Sequence, residues 1–328
     1  MDYYLLFDQE GKYLEFVGEL SAYPLKAIKS PACGGKLKRW TLGCLRALRA
    51  SRRGDTVVCW FDFQAVMLFW MCRLTMRRRE IFAINIMLKE RRSPRNRVAA
   101  LLYRPALTSR RFHASVTSPG YGQWLNRRLG VEVEYSLVRD VMLSFYLTLR
   151  PDGAKAAEPR TVFSGGHNGR DWPFMLRLAE AMPDARFHFV AGGEVCKRLE
   201  PLCPANVTLE HNISAADFAA RLCGCQVLCQ AVDTEAPSGL ITLFQAAAYG
   251  KPVFMTRTAT SSAYVTPERG YPLPRDVEAW KAALNQAFAH PEEMALRAER
   301  MREFVAAECS EEKFVAQLDQ MISKHTPA

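Results

Sequence analysis

The sequence predicts an α/β protein made of two doubly wound, Rossmann-like domains. Three observations carry that reading. Short apolar runs alternate with stretches of helical periodicity along the whole chain, the pattern of parallel strands joined by crossover helices. The 328 residues amount to about two domains of ordinary size. Charge is divided to match: residues 1–150 carry 26 Lys and Arg against 12 Asp and Glu, and residues 151–328 carry 18 against 22. A front half of net +14 and a back half of net −4 imply two domains, 1–150 and 151–328, with different partners. The last helix is free to pack back on the first domain.

The elements follow in order. Residues 3–7 are a short apolar strand, and Gly11 marks a turn into a second, 13–17. A loop with Pro31, Gly34 and Gly35 leads into 36–53, where Leu37, Trp40, Leu45 and Leu48 recur among seven lysines and arginines, a basic amphipathic helix. Residues 56–61 form a continuous apolar run after Gly54-Asp55, the mark of a buried parallel strand. An apolar helix, 63–76, ends in Arg77-Arg78-Arg79. Strand 81–86 follows, then strand 114–118, helix 122–129 and strand 133–138. The segment 151–159, P-D-G-A-K-A-A-E-P, reads as the linker.

Beyond it the alternation restarts. Strand 161–164 precedes helix 171–181, and strand 186–191 closes on Gly192-Gly193. Strand 207–209 precedes helix 215–222, for which Ser214 is a suitable N-cap. Strand 226–231 leads to helix 240–249, ended by Gly250 at its C′ position. Strand 253–256 and helices 277–289, 291–307 and 311–323 complete the chain.

Composition excludes several classes. With 49% hydrophobic and 24% charged residues, the chain is neither disordered nor fibrous. Charge interrupts every apolar stretch before the ~20 residues a spanning helix needs. Met1 leads into an acidic, strand-like opening and not a secretory leader, so a cytoplasmic location is expected. The ten cysteines include no C-x-x-C pair, and Cys223, Cys225 and Cys229 lack partners at zinc-finger spacing. They read as small buried hydrophobes.

No G-x-G-x-x-G occurs, which argues against a dinucleotide oxidoreductase. Two loops of the second domain are instead suited to a diphosphate. In S-G-G-H-N-G-R-D, Ser164 to Asp171, Gly165 and Gly166 let the backbone approach a phosphate, Arg170 supplies a cation, and His167 lies within reach. A glycine turn with a surface arginine is the plainer alternative. In the second loop Ser238 and Gly239 sit where a helix begins, so amides from Leu240 onward and the helix dipole face an anion. Gln245 lies in that helix beside the apolar face Leu240, Leu243, Ala247 and Ala248. Its amide needs a partner, either a sugar hydroxyl or the local backbone.

This arrangement resembles the nucleotide-sugar domain of GT-B glycosyltransferases, specifically the family 4-like group (glycosyl transferases group 1), over most of residues 160–310. The family's signature is E-x7-E followed by E-A-M-A-x-G-x-P-V, and Gln245-Ala246-Ala247-Ala248-Tyr249-Gly250-Lys251-Pro252-Val253 stands in its second half. The first glutamate falls at Pro237, with Glu235 the nearest acid. The second, which holds the ribose in the family, is Gln245. Phe189-Val190-Ala191-Gly192-Gly193 is similar to the family's second strand and turn. His211-Asn212-Ile213-Ser214 matches the region that meets the base through backbone groups. The diphosphate cation is represented by Arg170, while Lys251, in a helix-to-strand turn, reads as a surface residue.

The resemblance implies two Rossmann-like domains facing each other across a cleft, and a nucleotide-diphosphate sugar as donor substrate. It implies retention of configuration, and neither cofactor nor catalytic metal. Glu235 would orient the donor sugar. Asp62 and Asn85 follow strands of the first domain and would contact the acceptor, with helix capping as their alternative role. His113, after Arg110-Arg111, reads as surface. The basic helix 36–53 and Arg77-Arg78-Arg79 suit an anionic membrane surface, whereas no nucleic-acid motif or aromatic stacking series is present. The expectation is a glycosyltransferase of cell-surface polysaccharide or glycolipid synthesis, peripheral on the inner face of the membrane, with a glycan or lipid-linked acceptor. The replaced acidic pair leaves an alternative: a catalytically reduced GT-B protein acting as partner or regulator of another transferase.

Overall fold

Apolar runs and crossover helices assemble into two parallel sheets in the computed structural model, which describes residues 1–8, 14–89, 94–151 and 157–325. The chain divides into two units: Met1–Asp140 with the C-terminal helix from Glu311, and Val141–Ser310. The division falls at Asp140/Val141 and not at 150/151. Residues 152–156 of the expected linker and the Gly11 turn lie outside the described residues, and strand β7 already begins at Glu158.

Unit 1 contains strands β1 (Tyr3–Phe7), β2 (Leu25–Lys29), β3 (Thr56–Cys59), β4 (Glu80–Ala83), β5 (Phe112–Val116) and β6 (Ser136–Leu137). They pair in parallel in the order β2-β1-β3-β4-β5-β6. Its helices are α1 (Glu15–Leu20), α2 (Lys36–Ala50), α3 (Asp62–Leu74), α4 (Pro94–Leu107), α5 (Pro119–Leu129) and, from the C-terminus, α12 (Glu311–His325). The strand expected over 13–17 is instead helix α1. Its adjacent Phe16 and Val17 are both buried, which a strand with one solvated face would not allow, and Phe16 packs edge-on against Phe314 of α12. The expected 133–138 strand shrinks to two residues. β2 and α4 are additions to the expected elements: β2 is an edge strand bearing Lys26 and Lys29, and α4 carries Pro105 within it.

Unit 2 contains β7 (Glu158–Gly165), α6 (Trp172–Ala181), β8 (Arg186–Ala191), α7 (Gly193–Leu199), β9 (Val207–His211), α8 (Ala215–Gly224), β10 (Cys225–Gln230), α9 (Leu240–Ala248), β11 (Val253–Thr256), β12 (Tyr271–Leu273), α10 (Val277–Ala289) and α11 (Pro291–Glu308). The parallel order is β12-β11-β10-β7-β8-β9. β12 is a further addition: Pro272 interrupts its pattern, but an edge strand tolerates proline. Alternation along the strands feeds two cores. Phe163, Leu228 and Met255 join α8, α9 and α11 in one, and Val162, Val227 and Phe254 join α6 and α10 in the other.

The topology fixes where a ligand can enter. Chain order reverses between β7 and β10, so their following loops part to opposite faces and leave a crevice at the carboxyl ends of these strands. Both glycine-bearing loops lie there. Among the described residues no helix is long and apolar enough to cross a membrane.

Candidate functional site

Glycines shape the crevice of unit 2. β7 ends at Gly165, where a Cβ would come within 2.6 Å of the Phe218 ring. At Gly166 φ is +122°, and a Cβ would sit 2.3 Å from Nη2 of Arg170. Only glycine lets the guanidinium lie across the turn. Gly169, at φ +63°, likewise makes room for the Ser238 hydroxyl.

Arg170 joins the two loops. Its Nε donates to the Gly165 carbonyl at 2.8 Å, and its Nη1 donates to the Asn168 carbonyl at 2.9 Å and to Ser238 Oγ at 3.1 Å. Ser238 Oγ donates in turn to the Asn168 carbonyl at 2.6 Å. Three of the five guanidinium N–H groups are thereby used, and among the described residues the two on Nη2 have no protein acceptor. Burial lowers the Arg170 pKa to about 10, so it remains charged at neutral pH, and no carboxylate among the described residues pairs with it. Gly239, in the left-handed region at φ +82°, caps α9 beside this cation. A fixed guanidinium and a helix N-terminus thus face one crevice, a combination suited to an anion.

Gln245 is buried in α9, and among the described residues its side-chain amide has no hydrogen-bond partner. The local-backbone alternative is therefore not realised. Gln230, at the end of β10, is a site residue that the sequence reading does not single out. It is fully buried and donates to the Gly165 carbonyl at 3.2 Å, which leaves its own carbonyl oxygen without a partner. Two donors, Arg170 and Gln230, so converge on Gly165. The only sequence signal is a glutamine that closes β10 after the apolar run Val227-Leu228-Cys229.

The other expected donor-side residues divide. His167 is exposed and lies against Gly192, with Nδ1 3.1 Å from where a Cβ would stand. Ile213 is half-buried on the core beneath α8. Leu240 is buried, so only its backbone can serve a ligand. Glu235 is drawn away: its carboxylate accepts the Ala259 amide N–H, and its carbonyl accepts the Thr260 hydroxyl at 2.6 Å. It ties the loop after β10 to the loop after β11. Pro237 is buried beside it.

Lys251 is not the surface residue expected. Its Nζ donates to the carbonyls of Cys223 at 2.5 Å and Cys225 at 2.9 Å, and burial lowers its pKa.

In unit 1 the expected acceptor residues serve the fold. The Asp62 carboxylate accepts from the Phe63 N–H at 2.7 Å, the Met87 N–H at 2.8 Å and the Tyr103 hydroxyl at 2.9 Å. Burial raises its pKa against the pull of these donors. Asn85 turns the chain after β4 at φ +49°. Its carbonyl oxygen accepts from Ser115 Oγ at 3.1 Å, and its N–H donates to the same oxygen at 2.8 Å. His113 is not a surface group either: its side chain is 10% exposed, bonds Glu80 at 3.2 Å and stacks on His325 at 4.0 Å.

No family model matches the chain, and no curated protein matches it in sequence. Solved structures do match. Sucrose-phosphate synthase from Thermosynechococcus elongatus superposes with a TM-score of 0.76 at 17% identity, covering 98% of this chain and 95% of that one. Anabaena HepE, solved in complex with UDP and glucose, gives 0.67 at 12% identity over 98% and 99%. WaaG, a glycosyltransferase involved in lipopolysaccharide biosynthesis, gives 0.68 at 13% identity over 98% and 100%. The chain has the GT-B fold, with two Rossmann-like units.

Proposed function

We propose that this GT-B chain is a glycosyltransferase that takes a sugar from a nucleotide diphosphate. The observation that carries the reading is Arg170, fixed between the loops after β7 and β10 with Nη2 unclaimed, beside the N-terminus of α9. Unit 2 would bind the donor there. The first-turn amides of α9 and Arg170 would stabilise the diphosphate as it leaves, in place of a metal ion. Gln245 would bond the ribose hydroxyls, since its amide can both donate and accept. That HepE was solved with UDP and glucose supports a uridine nucleotide as the first donor to try. Retention of configuration follows the family resemblance.

The acceptor in this reading is a glycan or a lipid-linked sugar of cell-surface polysaccharide or glycolipid synthesis. The protein would work in the cytoplasm, on the inner face of an anionic membrane, to which the excess positive charge of unit 1 is suited. A second reading is favoured by Glu235, whose carboxylate is occupied by the Ala259 amide: a GT-B protein without full activity that assists another transferase. Slow hydrolysis of the donor in the absence of acceptor separates the two, because a transferase leaks sugar to water and a scaffold does not.

The direct test is a thermal-shift screen of the purified chain against nucleoside diphosphates and their sugars. At least one should raise the melting temperature, and Arg170→Ala should remove that rise. If none does, unit 2 is not a donor site and the proposal fails.

A further inference from the structure

Two membrane contacts are expected, helix α2 and the Arg77-Arg78-Arg79 end of α3, and α2 offers charge with little apolar surface. Trp40 and Arg39 of α2 are turned inward, bonding Asp8 at 3.0 Å and 2.9 Å. Leu48 is buried and Leu45 half-buried. Leu37 is the one large hydrophobe of α2 that is fully exposed.

The end of α3 and the outer face of α4 differ. Leu74 is 80% exposed, Met76 just after α3 is 90% exposed, and Leu101 on α4 is 71% exposed. Val98, also exposed, lies three residues before Leu101 and four before exposed Leu102, so it neighbours both on the surface of α4. Trp70, one turn before Leu74, donates its indole N–H to the Leu102 carbonyl at 3.1 Å. This bond ties the second half of α3 to α4 at Leu102. Exposed Arg73, Arg77, Arg78, Arg97 and Arg104 surround them, and no Asp or Glu occurs in 63–79 or 94–107. Isolated surface leucines are ordinary, but exposed apolar side chains on two neighbouring helices, among arginines and with no acid in 63–79 or 94–107, are not.

We infer that this α3–α4 surface docks on an anionic phospholipid bilayer, with Leu74, Met76, Val98 and Leu101 entering the acyl boundary and the arginines meeting the head groups. The charge of the border selects a bilayer over an apolar protein partner: side chains that insert need no shape-matched pocket, and among the described residues these arginines pair with no acid of their own chain. The inference deepens the proposed action on a lipid-linked acceptor, and it does not depend on which sugar is moved. Because part of the contact is apolar, binding should weaken with salt but not vanish, unlike binding through α2 charges alone.

The test is co-sedimentation of the full chain with vesicles of phosphatidylglycerol and phosphatidylcholine, and with phosphatidylcholine alone, at low and raised salt. The Leu74→Glu/Leu101→Glu double variant should bind anionic vesicles at least about tenfold more weakly. Leu202→Glu, a comparably exposed site in unit 2, should bind as the parent does. Both sites are in solvent, so melting temperature and any nucleotide-induced shift should match the parent. That shift reports the donor reading separately from the docking. Parental vesicle binding by the double variant, or complete loss of the parent's binding at raised salt, would overturn the inference. So would self-association of the parent that the double variant abolishes, in the absence of vesicle binding, since the surface would then join two copies.

Discussion

In unit 2 the loops after β7 and β10 converge on Arg170 and leave part of its guanidinium without a protein acceptor among the described residues. In unit 1 the loops after β3 and β4 also end on polar groups, yet Asp62 has three donors of its own chain and Asn85 is closed onto Ser115. Both units are parallel sheets with helical crossovers, so architecture alone does not decide which strand ends are free for a ligand. The difference lies in what sits after the strand. Glycines at 165, 166 and 169 hold the backbone open and keep a cation unspent, whereas a carboxylate at the start of α3 is at once consumed by nearby N–H and O–H groups. A polar residue at a strand end is therefore a site candidate only when its own fold leaves it under-satisfied.

The sharpest way to break this contrast is at Arg170. Arg170→Ala should lower kcat/KM for a nucleotide-sugar donor by roughly 10²–10³-fold, the scale for losing one charge-stabilising group. Stability should change far less, because the loop's own carbonyls would gain water. Steady-state kinetics beside a melting curve decides it. A loss of stability with full activity would move Arg170 to the same class as Asp62.

Asp62 tests the opposite pole. Asp62→Ala strands three donors, those of Phe63, Met87 and Tyr103, and should cost about 2–3 kcal/mol of stability. Affinity for nucleotide should be unchanged. Denaturant unfolding of the variant measures the first, calorimetric titration the second. Should Asp62→Ala melt like the parent while transfer to acceptor is abolished, the carboxylate belongs to a catalytic site after all.

Glu235 stands between these poles, in unit 2 but occupied by its own chain. Glu235→Gln keeps an acceptor oxygen for the Ala259 N–H, and activity should stay within about threefold of the parent. Glu235→Ala removes it, loosens the loop after β11 and should cost about tenfold. If Gln and Ala were equally damaging, the negative charge would be acting on the donor, and the tie to Ala259 would be incidental.

The same contrast separates what is legible in the amino-acid order from what is not. β3, α9 and the two loops of unit 2 are legible because their signals are local: a continuous apolar run, Gly239 and Gly250 at the two ends of a helix, glycines next to an arginine. α1 escapes because Leu14, Phe16 and Val17 fit either period when the helix is only six residues long. β2 and β12 carry lysines or a proline that only an edge position accommodates. The tie from Glu235 spans 24 residues and the bond from Arg170 to Ser238 spans 68, so neither partner can be named from spacing. The same holds for His113, whose ring is covered by the last helix. Its neighbours Arg110 and Arg111 suggest solvent, and the fold places it against His325.

That pair supplies the smallest expected effect, in a part of unit 1 far along the chain from the proposed donor site of unit 2. Burial pushes the pKa of both rings below the ordinary 6.5; Glu80 opposes this at His113, and Glu134 and Glu80 oppose it at His325. With folded values depressed, the unfolded chain binds the extra protons first. Stability from the stack is therefore fully present above 6.5 and is lost as pH falls from there through the folded values. Glu210 stays ionised in the folded chain across this window, since Arg221 and His188 hold its pKa at about 2, and its own loss of stability begins only as pH approaches the unfolded carboxylate value of 4.5. Melting temperature should decline from about pH 7 to about pH 5, and His325→Gln should flatten that decline while leaving nucleotide binding by unit 2 untouched. A slope that survives His325→Gln would assign the titration elsewhere and detach α12 from the pH response.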